Sequence, residues 1–426
     1  MFYGWVILAV STVGVLMSTP GQTVGVSAFT DFLIRDLGIT RTSLSLAYLI
    51  GTLTSSFTLT HAGHLYDVHG ARLVGTVVAI SLGVVLLAFS VVPGIAATIL
   101  SAVPRVSQGL VAFVLMTIGF FFLRFLGQGV LSMVSRNMVL KWFEVRRGLA
   151  NSLLGVATTV GFASSPWIFS IMIDIWGWQG AWRVLGLIVA VPFTVIFLLL
   201  ARDNPQECDL LPDNGATVSG KRHAPETYPS AQFTLPQARR TLTFWVFIAM
   251  VTLSAMYFTG LTFNIVSVFA ESGMSRTRAV SIFLPSSIIG FTLNFLGGWI
   301  SDHIRLKYLV IVQALGMLLA TIAAIFLSVP GAVLLLIIGN GINSGMFGIV
   351  VNVPWPRFYG TEHLGRISGY AMGWTVAGSA IGPYLFSLSL DTFGRYAPAS
   401  IVSAILVVAV LVLAPFANRP EAPRGV

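Results

Sequence analysis

The sequence predicts an all-α integral membrane protein, with twelve transmembrane helices set out as two pseudo-symmetric six-helix bundles. Three observations predict it. Only 9% of the 426 residues are charged and 56% are hydrophobic, whereas a soluble domain carries about 25% charged residues. Twelve apolar segments follow one another along the chain, each near the roughly 20 residues that a helix needs to cross a bilayer. The last six segments also echo the first six in motif and position.

The segments run over about residues 3–29, 44–65, 72–92, 108–134, 148–173, 182–201, 243–269, 278–299, 308–329, 332–353, 366–390 and 398–416. They are too long, and too poor in alternating polarity, for barrel strands. In lipid every backbone group needs a partner, so segments of this length are helices. Residues 202–242 differ: they are polar, charged and contain proline. They read as a linker between an N-terminal bundle, 1–201, and a C-terminal bundle, 243–426. So few charges cannot solvate a globular surface, which excludes a soluble enzyme, a disordered chain and a nucleic-acid binder. The net charge of +9 belongs to the loops of a membrane protein. The one cysteine, Cys208, excludes an internal disulfide. No basic stretch precedes the first apolar segment, so no cleaved leader is expected.

Lys and Arg set the orientation. With both termini on the same side, that side receives 16 of the 24 and the other side 7, with Arg124 between them. The excess marks the cytoplasmic side, so both termini and the linker are expected there.

The second segment ends in GHLYDVHGAR, Gly63 to Arg72, and the eighth in GWISDHIRLK, Gly298 to Lys307. Both carry Gly-x-x-x-Asp, as Gly63/Asp67 and Gly298/Asp302. A looser echo relates Arg147, Gly155, Gly161 and Pro166 to Arg366, Gly373, Gly378 and Pro383. Such a repeat is the layout of a secondary transporter, whose site lies at mid-membrane. On these residues the chain resembles the major facilitator superfamily over nearly its whole length. Arg124-Phe-Leu-Gly-Gln128-Gly129 is similar to its helix-4 pattern R-x-x-Q-G. Tyr3-Gly4-Trp5 and Trp142-Phe143-x-x-Arg146-Arg147-Gly148-Leu149-Ala150 resemble the bacterial monocarboxylate-transporter-like branch. The resemblance implies transport by alternating access, no enzymatic activity, a monomer, and placement in a bacterial inner membrane. It also implies that Asp67 and Asp302, helped by Gly63, Gly298, Arg72 and Arg147, cap neighbouring helices and release them when the state switches.

Arg124 lies 12 residues before Arg136 and 19 after Arg105, roughly 18 and 28 Å along a helix. It is therefore deep in the membrane, where a charge needs a cavity or a partner. Arg124, Gln128 and Ser132 share one helix face, at i, i+4 and i+8. None of the 15 acidic residues falls at mid-membrane. A bound anion is thus a natural partner for Arg124, held by two parallel hydrogen bonds. The competing reading has Arg124 bonded to backbone carbonyls of the first helix. That helix breaks at Thr19-Pro20-Gly21-Gln22. Gln22, Tyr48, Tyr257, Asn264, Asn294, Asn343 and Trp374 complete the expected binding set. No cofactor or metal site is expected. The expected solute is a small organic anion, a monocarboxylate above all, with proton coupling as an option. A neutral or amphipathic solute, with Arg124 purely structural, is the alternative.

Overall fold

The computed structural model describes residues 2–215 and 231–421. Residues 216–230, the middle of the expected linker, lie outside the described residues. Every regular element among the described residues is helical. Among the described residues, nine helices are long and apolar enough to cross a membrane. Two of these are double length, Thr42–Ser90 and Arg147–Leu200, with 49 and 54 residues. At 1.5 Å per residue each would run roughly 75–80 Å, more than twice the hydrocarbon core. Each turns sharply at one glycine. Gly70 has φ 76° and ψ 168°, and Gly177 has φ 67° and ψ 166°. Side chains avoid this region, so the two glycines are where the chain can reverse.

Counting the halves separately gives α1 (Gly4–Met17), α2 (41–69), α3 (71–90), α4 (108–142), α5 (147–176) and α6 (178–200). After the linker come α7 (Leu242–Glu271), α8 (Phe283–Ser301), α9 (Leu306–Ile325), α10 (Ala332–Val350), α11 (Leu364–Phe393) and α12 (Ala397–Leu413). The result is an all-helical, multi-pass membrane protein. Many large apolar side chains are exposed, among them Phe57, Trp167 and Leu284, as a lipid-facing surface requires.

The chain divides into two compact units. The first is Met1–Trp142 with Ala157–Leu211, and the second is Phe143–Val156 with Pro212–Val426. The first ten residues of α5, 147–156, thus belong to the second unit. In the first unit, Trp182 packs at a tilt against Phe29 at 4.2 Å and Phe89 at 5.3 Å between ring centroids. The same cluster continues through Phe120 to Tyr48, 5.2 Å away edge-on. The linker begins with Asp203 buried. Its carboxylate accepts from Ala71 N–H at 3.3 Å, at the start of α3, and pairs with Lys141 Nζ at 2.6 Å. In the second unit, Trp355, Tyr359 and Tyr370 surround Phe244 at 5.7–5.9 Å.

Candidate functional site

Pro20 has no N–H to give the helix, so α1 cannot run on through it. It closes with one tight turn at Thr19–Gly21, and Gln22 is extended at φ −84° and ψ 158°. A short helix, Thr23–Ser27, follows. Opposite the break, α4 widens into a π-helix over Arg124–Leu131, an irregularity frequent at functional sites. The two irregular stretches meet backbone to backbone at glycine. A Cβ on Gly21 would stand 2.6 Å from Leu123 O and 2.8 Å from Gly127 Cα.

That close approach puts Arg124 on the break. Its Nη1 donates to Gly21 O at 3.1 Å and to Thr23 Oγ1 at 3.3 Å. The guanidinium lies over the Tyr48 ring, 5.1 Å from the centroid, and the Tyr48 and Thr23 hydroxyls are hydrogen-bonded at 2.9 Å. Arg124 is 2% exposed. One turn on, Gln22 Nε2 donates to Ser18 Oγ at 3.2 Å and Ser132 Oγ at 3.3 Å. Those two hydroxyls are themselves 2.9 Å apart. The polar face of α4 is therefore turned onto the break in α1. Two buried atoms there have no hydrogen-bond partner among the described residues, Arg124 Nε and Gln128 Oε1. Arg124 meets no carboxylate among the described residues. Nε, with Nη2 beside it, is the guanidinium edge that takes a carboxylate through two parallel bonds.

The structure brings Arg124, Gln128, Gln22 and Tyr48 together, and adds Thr23, Ser18 and Ser132. The sequence did not mark Thr23 or Ser18, since hydroxyls in a membrane helix usually bond their own backbone. The remaining expected binding residues lie in the second unit and are scattered. Tyr257 is fully buried, and its hydroxyl has no partner among the described residues. Asn343 accepts from Ser254 and Gln313 in the interior. Asn264 Nδ2 donates to Gly260 O of its own helix at 2.9 Å. Asn294 Nδ2 donates to Gly345 O at 3.1 Å. Trp374 is exposed and packs edge-on against Trp245 at 6.3 Å.

A second feature lies at the start of α5. Asp302 accepts from Gly148 N–H at 2.8 Å and Leu149 N–H at 3.1 Å. It is also paired with Arg357 Nη2 at 2.8 Å, with both side chains buried. Burial pushes the Asp302 carboxyl above the usual range, while Arg357 and the two amides pull it down. The helices can touch here because Gly148 and Gly298 lack side chains. A Cβ on Gly148 would stand 2.2 Å from Gly298 O. Arg147 is buried and donates from Nε to Phe143 O at 3.0 Å. In the first unit, Gly63 is buried and Asp67 half-buried near the end of α2. Arg72 is exposed and donates to Leu198 O at 2.6 Å. Among the described residues no group of three or more His, Cys, Asp or Glu is placed to hold a metal ion.

Comparison with known proteins sets these features in a family. The chain matches the family described as the Major Facilitator Superfamily over residues 10–383. No match was found among the curated proteins. Among solved structures it is similar to a proton:xylose symporter, XylE, at 16% identity and TM-score 0.67, covering 98% of this chain and 97% of that one. It is also similar to a bacterial homologue of the iron transporter ferroportin, at 15% identity and TM-score 0.69, covering 96% and 99%. A third is the human organic anion transporter TETRAN, at 14% identity and TM-score 0.59, covering 96% and 98%. At these identities the likeness speaks for the fold.

Proposed function

The chain belongs to the Major Facilitator Superfamily, and from that premise we propose that it carries a small organic anion, a monocarboxylate above all, by alternating access. The observation that carries the reading is Arg124. A buried cation at the break of α1 meets no carboxylate and keeps Nε without an acceptor among the described residues. A charge held there is functional by default, and an anion completes it. Tyr48 and Thr23 fix the guanidinium plane from one side, which leaves the opposite edge to select a planar carboxylate. Gln22 and Gln128 add neutral donors and an acceptor for the rest of the solute. TETRAN, an organic anion transporter by its title, is a fold relative consistent with this. The bacterial monocarboxylate-like branch, inner-membrane placement, cytoplasmic termini and a monomeric carrier belong to the same reading. Proton coupling would ride on the solute's own carboxyl.

The contact of Asp302 with the start of α5 supports alternating access, because the first amides of a helix favour a negative charge. Asp67, with Gly63 and Arg72, is proposed as its counterpart. One observation favours a second reading. Arg124 Nη1 is already spent on Gly21 O and Thr23 Oγ1, which suits a structural arginine and a neutral or amphipathic solute.

The test is ligand-induced thermal stabilisation of the purified protein with carboxylates, sugar acids and neutral solutes, on wild type, Arg124→Gln and Arg124→Lys. A ligand at 100 times its Kd adds about 2.7 kcal/mol. The anion reading expects carboxylates to stabilise wild type, Arg124→Lys weakly and Arg124→Gln not at all. Neutral solutes that stabilise all three alike, with carboxylates inert, would overturn it.

A further inference from the structure

The second unit sets a cation on an exposed aromatic surface at the start of α7, a feature that the transport reading does not use. Thr234 and Gln237 form a capping box that starts the short helix Leu235–Ala238, and Arg239 closes that helix. Trp245 Nε1 donates to Arg239 O at 2.8 Å, which fixes where the arginine leaves the backbone. The Arg239 guanidinium lies over the Tyr370 ring, 5.2 Å from the centroid. Tyr370, Trp245 and Trp374 form a triangle of rings whose centroids are 6.3–6.4 Å apart. The buried Phe244 stacks on Tyr370 at 5.9 Å and backs the triangle. Trp245 and Trp374 are 38% and 41% exposed, so the triangle opens outward.

Depth gives this surface its chemistry. Trp245 follows the start of α7 at Leu242, and Tyr370 and Trp374 follow the start of α11 at Leu364. At 1.5 Å per residue the three rings stand roughly 5, 9 and 15 Å past the helix starts. Tyr and Trp at that level mark the boundary between lipid headgroups and hydrocarbon. Arg239 precedes α7 and so stands at the headgroup end of the triangle. Its guanidinium meets no carboxylate and no hydrogen-bond acceptor among the described residues. The N–H edge that clasps a phosphate through two parallel bonds is therefore available. Residues 231–245 and 361–374 carry three exposed arginines, Arg239, Arg240 and Arg366, against one acid, Glu362.

We propose that Arg239, with Tyr370, Trp245 and Trp374, binds the headgroup of an anionic phospholipid at the linker's side of the second unit. The guanidinium fork takes the phosphodiester. The rings lie against the glycerol and the first carbons of the chains, with apolar bodies inward and polar tips towards water. Basic pockets between membrane helices hold anionic headgroups in this way. Charge selects the lipid. A phosphatidylglycerol headgroup carries its phosphate uncompensated, whereas phosphatidylcholine adds a quaternary ammonium that the arginines repel. That ammonium lies on the water side of its phosphate, away from the rings, so the aromatic triangle cannot compensate it. A soluble anion fits less well, because beyond the arginine the surface offers ring, which suits an acyl chain.

The experiment measures the Tm of the purified full-length protein in mixed micelles of dodecyl maltoside with rising fractions of phosphatidylglycerol or phosphatidylcholine, and separately with soluble glycerol phosphate. The site predicts a Tm that rises and saturates with phosphatidylglycerol and stays flat with the other two. Arg239→Gln should raise the half-saturating phosphatidylglycerol fraction about fivefold or more, the weight of one arginine beside an anionic lipid. Arg239→Lys keeps the charge without the fork and should fall between the two, which keeps the test decisive if the glutamine variant does not fold. Arg105→Gln, at an exposed position of the first unit, should respond as wild type does. Arg124→Gln should keep the lipid response, so the outcome is independent of the anion-transport reading. Equal Tm in the two lipids for wild type overturns the proposal, and so does a phosphatidylglycerol response left unchanged in Arg239→Gln. A rise with glycerol phosphate as large as that with the lipid also overturns it, because the surface would then hold a soluble anion.

Discussion

Replacing Lys141 with methionine tests how the linker is tied to the first unit. Lys141 Nζ stands 2.6 Å from Asp203 Oδ2, with side-chain exposures of 7% and 10%, and lies over the Tyr66 ring at 4.6 Å. An exposed ion pair would be worth about 0–1 kcal/mol. A buried one behaves differently, because deleting one partner strands the other charge away from water, at a cost of about 3–5 kcal/mol. Asp203 would keep two donors, Ala71 N–H at 3.3 Å and Asn204 Nδ2 at 3.0 Å. The expected loss for Lys141→Met is therefore at the low end, about 3 kcal/mol. Adding Asp203→Asn removes the stranded charge and keeps an oxygen for Ala71, so the double variant should be more stable than Lys141→Met alone. Reversible unfolding in mixed micelles, read across the four proteins of a double-mutant cycle, measures this. Losses that simply add, or a Lys141→Met loss below about 1 kcal/mol, would show that the pair is solvated and the reasoning wrong.

Three further outcomes are expected. Gly21→Ala drives a Cβ to 2.6 Å from Leu123 O and 2.8 Å from Gly127 Cα. Both are backbone atoms that cannot swing away, so about 1–3 kcal/mol should be lost in thermal unfolding; a variant as stable as wild type would place the α1–α4 crossing elsewhere. Arg357→Met leaves the buried Asp302 with only the Gly148 and Leu149 amides as donors, and should cost about 3 kcal/mol. Because burial already raises the Asp302 pKa, the protonated form is the one that suits the folded state, so this loss should deepen as pH rises through the folded value and shrink on acidification; a pH-independent loss speaks against it. Asp36 is the opposite case. Arg35 at 2.8 Å and Trp178 Nε1 at 2.8 Å donate to its carboxylate and hold its pKa below the ordinary value. Its stabilisation is present above 3.8 and lost as pH falls through the folded value, so Asp36→Asn should flatten the acid limb of the stability profile, with Trp178 fluorescence as the local readout.

What the sequence could show depended on whether one helix or two carried the information. The positions of Arg124, Gln128 and Ser132 are legible, because their spacing on one helix fixes a face, and Arg105 and Arg136 fix the depth. The break in α1 is legible too, since Pro20 removes a donor and Gly21 tolerates the turn. Pairings between helices are not legible. Lys141 and Asp203 read as two loop charges, yet Gly70 reverses the chain so that Ala71 presents its N–H to Asp203. Arg357 reads as a cytoplasmic loop cation, but it lies buried beside Asp302. The same reason governs the neutral residues of the second half. An Asn or Gln in an apolar helix announces that it needs a partner, but not which neighbour supplies it. Tyr257 and Asn343 could therefore be picked out as polar, while Gln313, 30 residues before Asn343, could not be joined to Asn343. A polar side chain that finds its partner inside its own unit is withdrawn from solute binding. The helix-7 and helix-10 candidates thus separate by partner. Asn343 is held by Ser254 and Gln313 in the interior, whereas the Tyr257 hydroxyl has no partner among the described residues; on the proposed reading the solute's contacts fall to the face around Arg124. Exchanging Asn343 for leucine should then leave carboxylate binding intact where Arg124→Gln removes it, and equal loss in both variants would put Asn343 back among the solute's contacts.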